Sequence, residues 1–194
     1  MFITTKLLVE KFNLTITGVI HVGGHIGEEI KSYEEFTTNI HIFEPIEECF
    51  RQIPKHVKKY RVALGDKKEY LFLNVASNNQ SSSILKPTGH LGEHPSVKFN
   101  SKIMVQVDTL DSYRIKDCNF LNIDVQGYEM NVLKGAEETL THIDYIYTEV
   151  NIKELYENCV LQEDLEGYLF QRGYKKLWEY MTPHGWGDAF YSRI

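Results

Sequence analysis

The sequence has 194 residues, 42% of them hydrophobic and 25% charged, with a net charge of −6. This suits one domain spanning residues 1–194 with a sizeable core. It excludes nucleic acid as the main partner, because phosphate binding needs a clustered positive surface. Cys49, Cys118 and Cys159 are widely spaced and form no CxxC. Neither a disulfide framework nor a zinc-thiolate site is expected, and a reducing, cytoplasmic setting is. No stretch approaches transmembrane length, and "MFITTKLLVEKF" has no long apolar core, so a soluble chain without a membrane span is expected.

Taken in chain order, "GVIHV" is a short β-rich run that ends in Gly23-Gly24. "GEEIKSYEEF" carries Ile30, Tyr33 and Phe36 at three-residue spacing and predicts an amphipathic helix. "NIHIFEP" predicts a strand closed by Pro45, "IEECFRQI" a helix, and "YRVALGD" a third strand ending at a Gly-Asp turn. "EYLFLNVA" and "KIMVQVDTL" are strand-like, and between them lies the polar connection "SNNQSSSILKPTGHLGEHP". A connection of that length in a compact domain points to function. "NFLNIDV" predicts a buried strand, "YEMNVLKGAEETL" a helix, "IDYIYTEVN" a strand, and "LQEDLEGYLFQRG" a helix stopped by Gly173. "YKKLWEYM" and "GDAFYSRI" predict two strands joined by a Pro-His-Gly-Trp turn. Alternating strands and helices imply a mostly parallel sheet with helices on both faces, closed by an antiparallel end. Ligands in such sheets bind outside the carboxyl ends of the strands. That rule selects Gly23 to Gly27, Glu44, the turn after Leu64, Asp124 and Glu149.

Gly23, Gly24 and Gly27 permit the close backbone approach that a bound cofactor needs, at the start of a helix whose free N–H groups favour negative charge. The spacing is not G-x-G-x-x-G, because Val22 stands where that pattern needs glycine. Glu44 ends the second predicted strand about 20 residues later, where an acid accepts both hydroxyls of a ribose. Turn and acid together predict a nucleoside-containing cofactor.

The segments "IHVGGHIGEEI", "IFEP", "VALGD", "SSSIL", "VDTLD", "NIDVQGYEMNVLKGA" and "TEV" follow one another in the order found in the FkbM family of S-adenosylmethionine-dependent methyltransferases. The sequence resembles that family over nearly its whole length, most specifically in "IDVQGYE…VLKGA". The resemblance implies a class I methyltransferase fold, Rossmann-like, with a seven-stranded, mostly parallel sheet and an antiparallel last strand. It also implies S-adenosylmethionine as cofactor. Gly23 and Gly27, with His21 and Gly24 in the same loop, would line its methionine part. Glu44, followed by Pro45, would hold the ribose, and Ala63 and Leu64 would lie near the adenine. Ser82 and Ser83 resemble the family's serine-rich loop near the same pocket, and Asp124 would face the site. The chain departs from the family pattern where His21 replaces an Asp, Gly24-His25 a small-Asn pair, and Gln126 an acid.

A hydroxyl acceptor needs a general base or a metal, since its pKa is far above 7. Asp124 is the first candidate base, with His25 and Glu149 next. Helix capping is the competing role for Asp124 and for His25. Asp124 and Glu149 on neighbouring strand ends also leave open a hard divalent cation, magnesium or manganese. His21 reads as a hydrogen-bonded core group, and His90 and His94 read as surface histidines of the long loop. "HGWGD" suits either gripping a sugar face or capping a hairpin. Relatives of this kind methylate hydroxyls of sugars or polyketides. The Asn, Gln, Ser, His and Tyr of the loops favour a sugar or glycan hydroxyl. The alternatives are another acceptor, a polyketide hydroxyl or an amide nitrogen, and a non-catalytic cofactor-binding module.

Overall fold

A computed structural model describes residues 3–194. Seven strands form the central sheet: β1 (Val19–Val22), β2 (Ile40–Phe43), β3 (Lys58–Tyr60), β7 (Phe120–Ile123), β8 (Tyr145–Asn151), β9 (Tyr174–Met181) and β10 (Trp186–Arg193). Their order is β3-β2-β1-β7-β8-β10-β9. β1 pairs in parallel with β2 and β7, whereas β10 runs antiparallel to both β8 and β9. A second sheet, β4-β6-β5, holds β4 (Ala63–Leu64), β5 (Glu69–Ala76) and β6 (Phe99–Asp108).

The central strands are buried on both faces, which is why they read as short apolar runs rather than as alternating patterns. Ile20 and Val22 of β1 pack into one core with Val132 and Leu133 of α5 (Glu129–Lys134) and Leu165 and Leu169 of α7 (Gln162–Phe170). Val19 faces the other side, with Leu8 of α1 (Thr5–Phe12) and Ile30 and Tyr33 of α2 (Ile30–Tyr33). Each such side chain, when fully buried, contributes about 1.5–3 kcal/mol. α3 (Glu47–Gln52) supplies Cys49 to a third core, beneath the smaller sheet.

The elements differ from expectation in four places. The N-terminal segment forms α1, with the Thr4 hydroxyl accepting from the Leu7 amide at 3.2 Å. The helix expected from Gly27 to Phe36 contracts to one turn, Ile30–Tyr33. "YRVALGD" divides between two sheets, β3 pairing with β2 and β4 with β6. The helix expected across "YEMNVLKGAEETL" breaks into α5 and α6 (Glu137–Leu140) at Gly135, which lies so close to the Gly65 carbonyl that a Cβ would come within 1.9 Å of its oxygen. The long connection carries a short helix, α4 (Gly89–Glu93). Among the described residues no helix is long and apolar enough to cross a membrane, and the three cysteines are buried and unbridged.

Candidate active site

The site forms at the carboxyl ends of β1, β2, β7 and β8. Gly23 leaves β1 with φ at 84° and packs so tightly that a Cβ would stand 1.8 Å from the Asp124 carbonyl oxygen. The amides of Gly23 and Gly24 both donate to the Phe43 carbonyl, at 2.9 and 3.1 Å. His25 takes a left-handed conformation, its amide donating to Glu44 Oε2 at 2.9 Å, while Glu44 Oε1 accepts from the Ile46 amide at 2.7 Å. Each carboxylate oxygen is thus aimed by one backbone N–H and keeps a second lone pair for a ligand. Burial raises the Glu44 pKa to about 7.

Two cavities meet here. The first encloses about 560 Å³. Glu44 and Pro45 form its polar end, and Phe43, Val62, Leu64 and Tyr128 make an apolar slot suited to an aromatic base. Ala63 and Ser82 also line it. The second encloses about 990 Å³ and is walled by His21, Glu28, Glu29, His90, Glu149, Tyr156 and Trp186, among others. Gly23, His25, Gln80 and Asp124 belong to both.

Asp124 and Glu149 are joined by a residue whose role the sequence did not disclose. The Gln126 amide nitrogen donates to Asp124 Oδ1 at 2.8 Å and to Glu149 Oε2 at 2.6 Å. Its Oε1 accepts from the Tyr156 hydroxyl at 3.0 Å, and its backbone carbonyl from Ser83 Oγ at 2.7 Å. Burial raises the pKa of both carboxyls, and like charge adds to it, from Asp188 at Asp124 and from Asp124, Glu129 and Asp188 at Glu149. Asp124 does not cap α5. No side chain caps its N-terminus; Glu129, the first residue of the helix, instead pins the preceding loop, its Oε1 accepting from the amides of Val125 and Gly127 at 3.2 and 3.0 Å.

Several expected contacts are relocated. Gly24, Gly27 and Ser83 line neither cavity. A Cβ on Gly24 would meet Ile42, and one on Gly27 would meet Ile30, so both shape the loop. Ser83 is buried between Gln126 and the Leu85 amide. His21 is a buried core group whose Nδ1 pairs with the Tyr33 hydroxyl at 3.2 Å, and it also reaches the second cavity. Burial lowers its pKa to about 4. His25 Nδ1 is held by Glu28 Oε1 at 2.9 Å, and Gln80 donates to the same oxygen at 3.1 Å, which ties the glycine loop to the long connection. His90 is buried, not a surface histidine.

The Asp124–Glu149 pair does not fit a cation. An amide NH₂ group lies between the carboxylates and directs its hydrogens at both, where a metal would need lone pairs. Among the described residues, His41, Asp117 and Cys118 bring three donor atoms together. They lie at the opposite end of the sheet, and Lys58 Nζ already sits 3.1 Å from His41 Nε2.

The strand order, the antiparallel β10 between β8 and β9, and a cleft over the carboxyl ends of β1 and β2 define the class I methyltransferase fold. Within that class the chain belongs to the FkbM methyltransferase family, whose domain model, "Methyltransferase FkbM domain", matches residues 21–176. It is 26% identical over 163 residues to the 2-O-methyltransferase NoeI of Sinorhizobium fredii, covering 72% of this chain and 65% of that protein. Among solved structures it is similar to the methyltransferase FkbM of Methylobacillus flagellatus, with a TM-score of 0.62 and 13% identity over 91% of this chain and 43% of that one. It is also similar to the magnesium protoporphyrin IX methyltransferase ChlM of Synechocystis with bound SAM, with a TM-score of 0.56 and 10% identity over 97% and 76% of the two chains. The chain thus spans less than two thirds of NoeI and under half of the Methylobacillus protein.

Proposed function

We propose that this protein is an S-adenosylmethionine-dependent O-methyltransferase acting on a hydroxyl of a sugar or glycan. The observation that carries the reading is the junction of the two cavities at Asp124, with Glu44 fixed by two backbone amides in the first. Glu44 would accept the ribose hydroxyls, and the slot between Phe43, Leu64 and Tyr128 would take the adenine. Gly23 and His21 would border the methionine portion, near carboxylates suited to a cationic ligand. When bound, the cofactor supplies a methyl group on a sulfonium, open to direct in-line displacement.

The protein's work is alignment, exclusion of water and one proton transfer. Asp124 is the base. It lies where the cavities join, and burial raises its pKa toward that of a useful proton acceptor. Gln126 orients it and ties it to Glu149, whose carboxyl is also raised by burial. His25, paired with Glu28, positions the loop and the floor of both cavities.

No Lys or Arg lines either cavity among the described residues, which supports a small-molecule or glycan acceptor over nucleic acid. Buried free cysteines suit a reducing compartment such as the cytoplasm. The 2-O-methyltransferase relative favours an oxygen acceptor, and the polar walls of the second cavity favour a sugar hydroxyl over a polyketide. Titration with S-adenosylhomocysteine, followed by initial rates on a panel of sugars, tests the reading. Binding without transfer to any sugar returns the choice to another acceptor or a non-catalytic module, and absence of binding overturns the cofactor assignment.

A further inference from the structure

His90 is a buried imidazole without a partner. It sits on α4, 4% exposed, and no described atom hydrogen-bonds to its ring; its Nδ1 is sealed from solvent and unsatisfied. Aromatic rings enclose it, with Phe99 edge-on at 5.5 Å, Tyr156 at 5.4 Å and His94 at 4.8 Å between centroids. A phenylalanine would fill that cage without a polar atom to desolvate. Leaving a buried polar group unpaired costs about 1–3 kcal/mol, and such a group in a native fold calls for an explanation. The imidazole also forms part of the wall of the second cavity, where its accessible edge can meet a ligand.

The rest of that wall narrows what the partner can be. Asp124, Glu149, Glu28 and Glu29 line the cavity, and among the described residues no Lys or Arg does. An anionic acceptor would meet acidic side chains, with Glu28 held below the usual carboxylate range, and no Lys or Arg to balance its charge. Near His90 the wall turns aromatic, with His94 6.3 Å from Trp186 between ring centroids. Rings of this kind pack against the C–H face of a pyranose while polar groups at their edge bond its hydroxyls.

We infer that the larger cavity is the acceptor site, that it takes an uncharged saccharide ring, and that His90 is a binding residue supplying a hydrogen bond to that ring. The inference rests on the methyl-transfer reading above. The charge selection follows from the acidic lining without Lys or Arg, and the His90 contact from an imidazole in the cavity wall that hydrogen-bonds to no described residue.

His90→Phe tests it, measured beside the wild type on neutral methyl glycosides and on the matching uronates. Affinity for S-adenosylhomocysteine stays unchanged and the melting temperature holds or rises, because a desolvated nitrogen is removed. The acceptor KM rises by about tenfold, the loss expected for one ligand hydrogen bond. His90→Asn recovers part of it. Wild-type kcat/KM for uronates falls below that for the neutral sugars by at least about tenfold. An unchanged acceptor KM in His90→Phe, with a lower melting temperature, overturns the His90 assignment. Equal turnover of uronates overturns the charge selection. A wild type that binds S-adenosylhomocysteine yet methylates no sugar overturns the sugar reading itself, a result distinct from either.

Discussion

The His25 amide donates to Glu44 Oε2 across 2.9 Å, so the glycine loop after β1 and the acid at the end of β2 form one rigid unit. Glu44→Gln keeps the shape but exchanges a charged acceptor for a neutral amide and sets an NH₂ against a backbone N–H. Hydrogen bonds to a charged group contribute about 1.5–3 kcal/mol. Titration calorimetry of the variant should show S-adenosylhomocysteine binding weakened by at least about tenfold. Unaltered affinity would remove Glu44 from the ribose site.

With Glu44 at the ribose, as proposed, cofactor binding should depend on pH. Burial raises Glu44 from 4.5 to about 7, so the folded protein retains its proton in acid, while ribose hydroxyls donate best to the ionised form. Affinity should rise by about tenfold from pH 6 to pH 8, with proton release on binding near pH 7. The stability of the free protein has the opposite sign. Between about 4.5 and about 7 the unfolded chain has lost a proton that the folded chain keeps. Glu44 therefore lowers stability progressively as pH rises through that window, and the effect levels off above it. Glu129, raised by burial to about 7, acts in the same direction. Thermal unfolding at several pH values should show a shallower loss in Glu44→Gln than in the wild type.

Asp124→Asn should lower kcat by about 10²–10⁴-fold, the range for loss of a general base. Cofactor binding should change far less, since Asn keeps a hydrogen-bonding oxygen near Gln126. Single-turnover rates separate the two effects. A variant with near wild-type kcat would move the base elsewhere.

A divalent cation should not be required. Gln126 fills the space between Asp124 and Glu149 with N–H hydrogens. Turnover after exhaustive chelation should match the untreated enzyme, and added magnesium or manganese should not raise it. Loss of activity on chelation, restored by metal, would contradict this geometry.

Two glycines should respond in opposite directions. Gly23→Ala forces a Cβ against the Asp124 carbonyl at a φ of 84°, and should cost on the order of 3 kcal/mol or more in urea unfolding. Gly167, inside α7, has nothing within 4 Å of where its Cβ would be. Gly167→Ala should stabilise by about 0.5–1 kcal/mol.

The contrast between Glu44 and Gln126 shows what was legible beforehand. Glu44 was readable because two local signals, a glycine turn and a strand-terminal acid, stood at a characteristic separation. The parallel strands were readable because burial on both faces makes them continuous apolar runs. Gln126 was not readable as a site residue: its left-handed backbone and its reach to Glu149 on the next strand are products of tertiary packing. Sequence reading assigned it only as a departure from a family pattern. His90 misled for a related reason. A histidine in a polar loop reads as exposed, and packing against His94, Phe99 and the distant Tyr156 buries it. "YRVALGD" read as one strand because β propensity does not register a change of pairing partner between Tyr60 and Ala63. The break at Gly135 depends on a carbonyl some 70 positions earlier, at Gly65.

The wall shared by the two cavities, formed by Gly23, His25, Gln80 and Asp124, has a kinetic consequence. With donor and acceptor in separate chambers, as proposed, neither would have to leave before the other enters. Transfer then requires both to be bound at once. Initial-rate plots against one substrate at fixed levels of the other should intersect rather than run parallel, and each product should inhibit by competing for its own chamber.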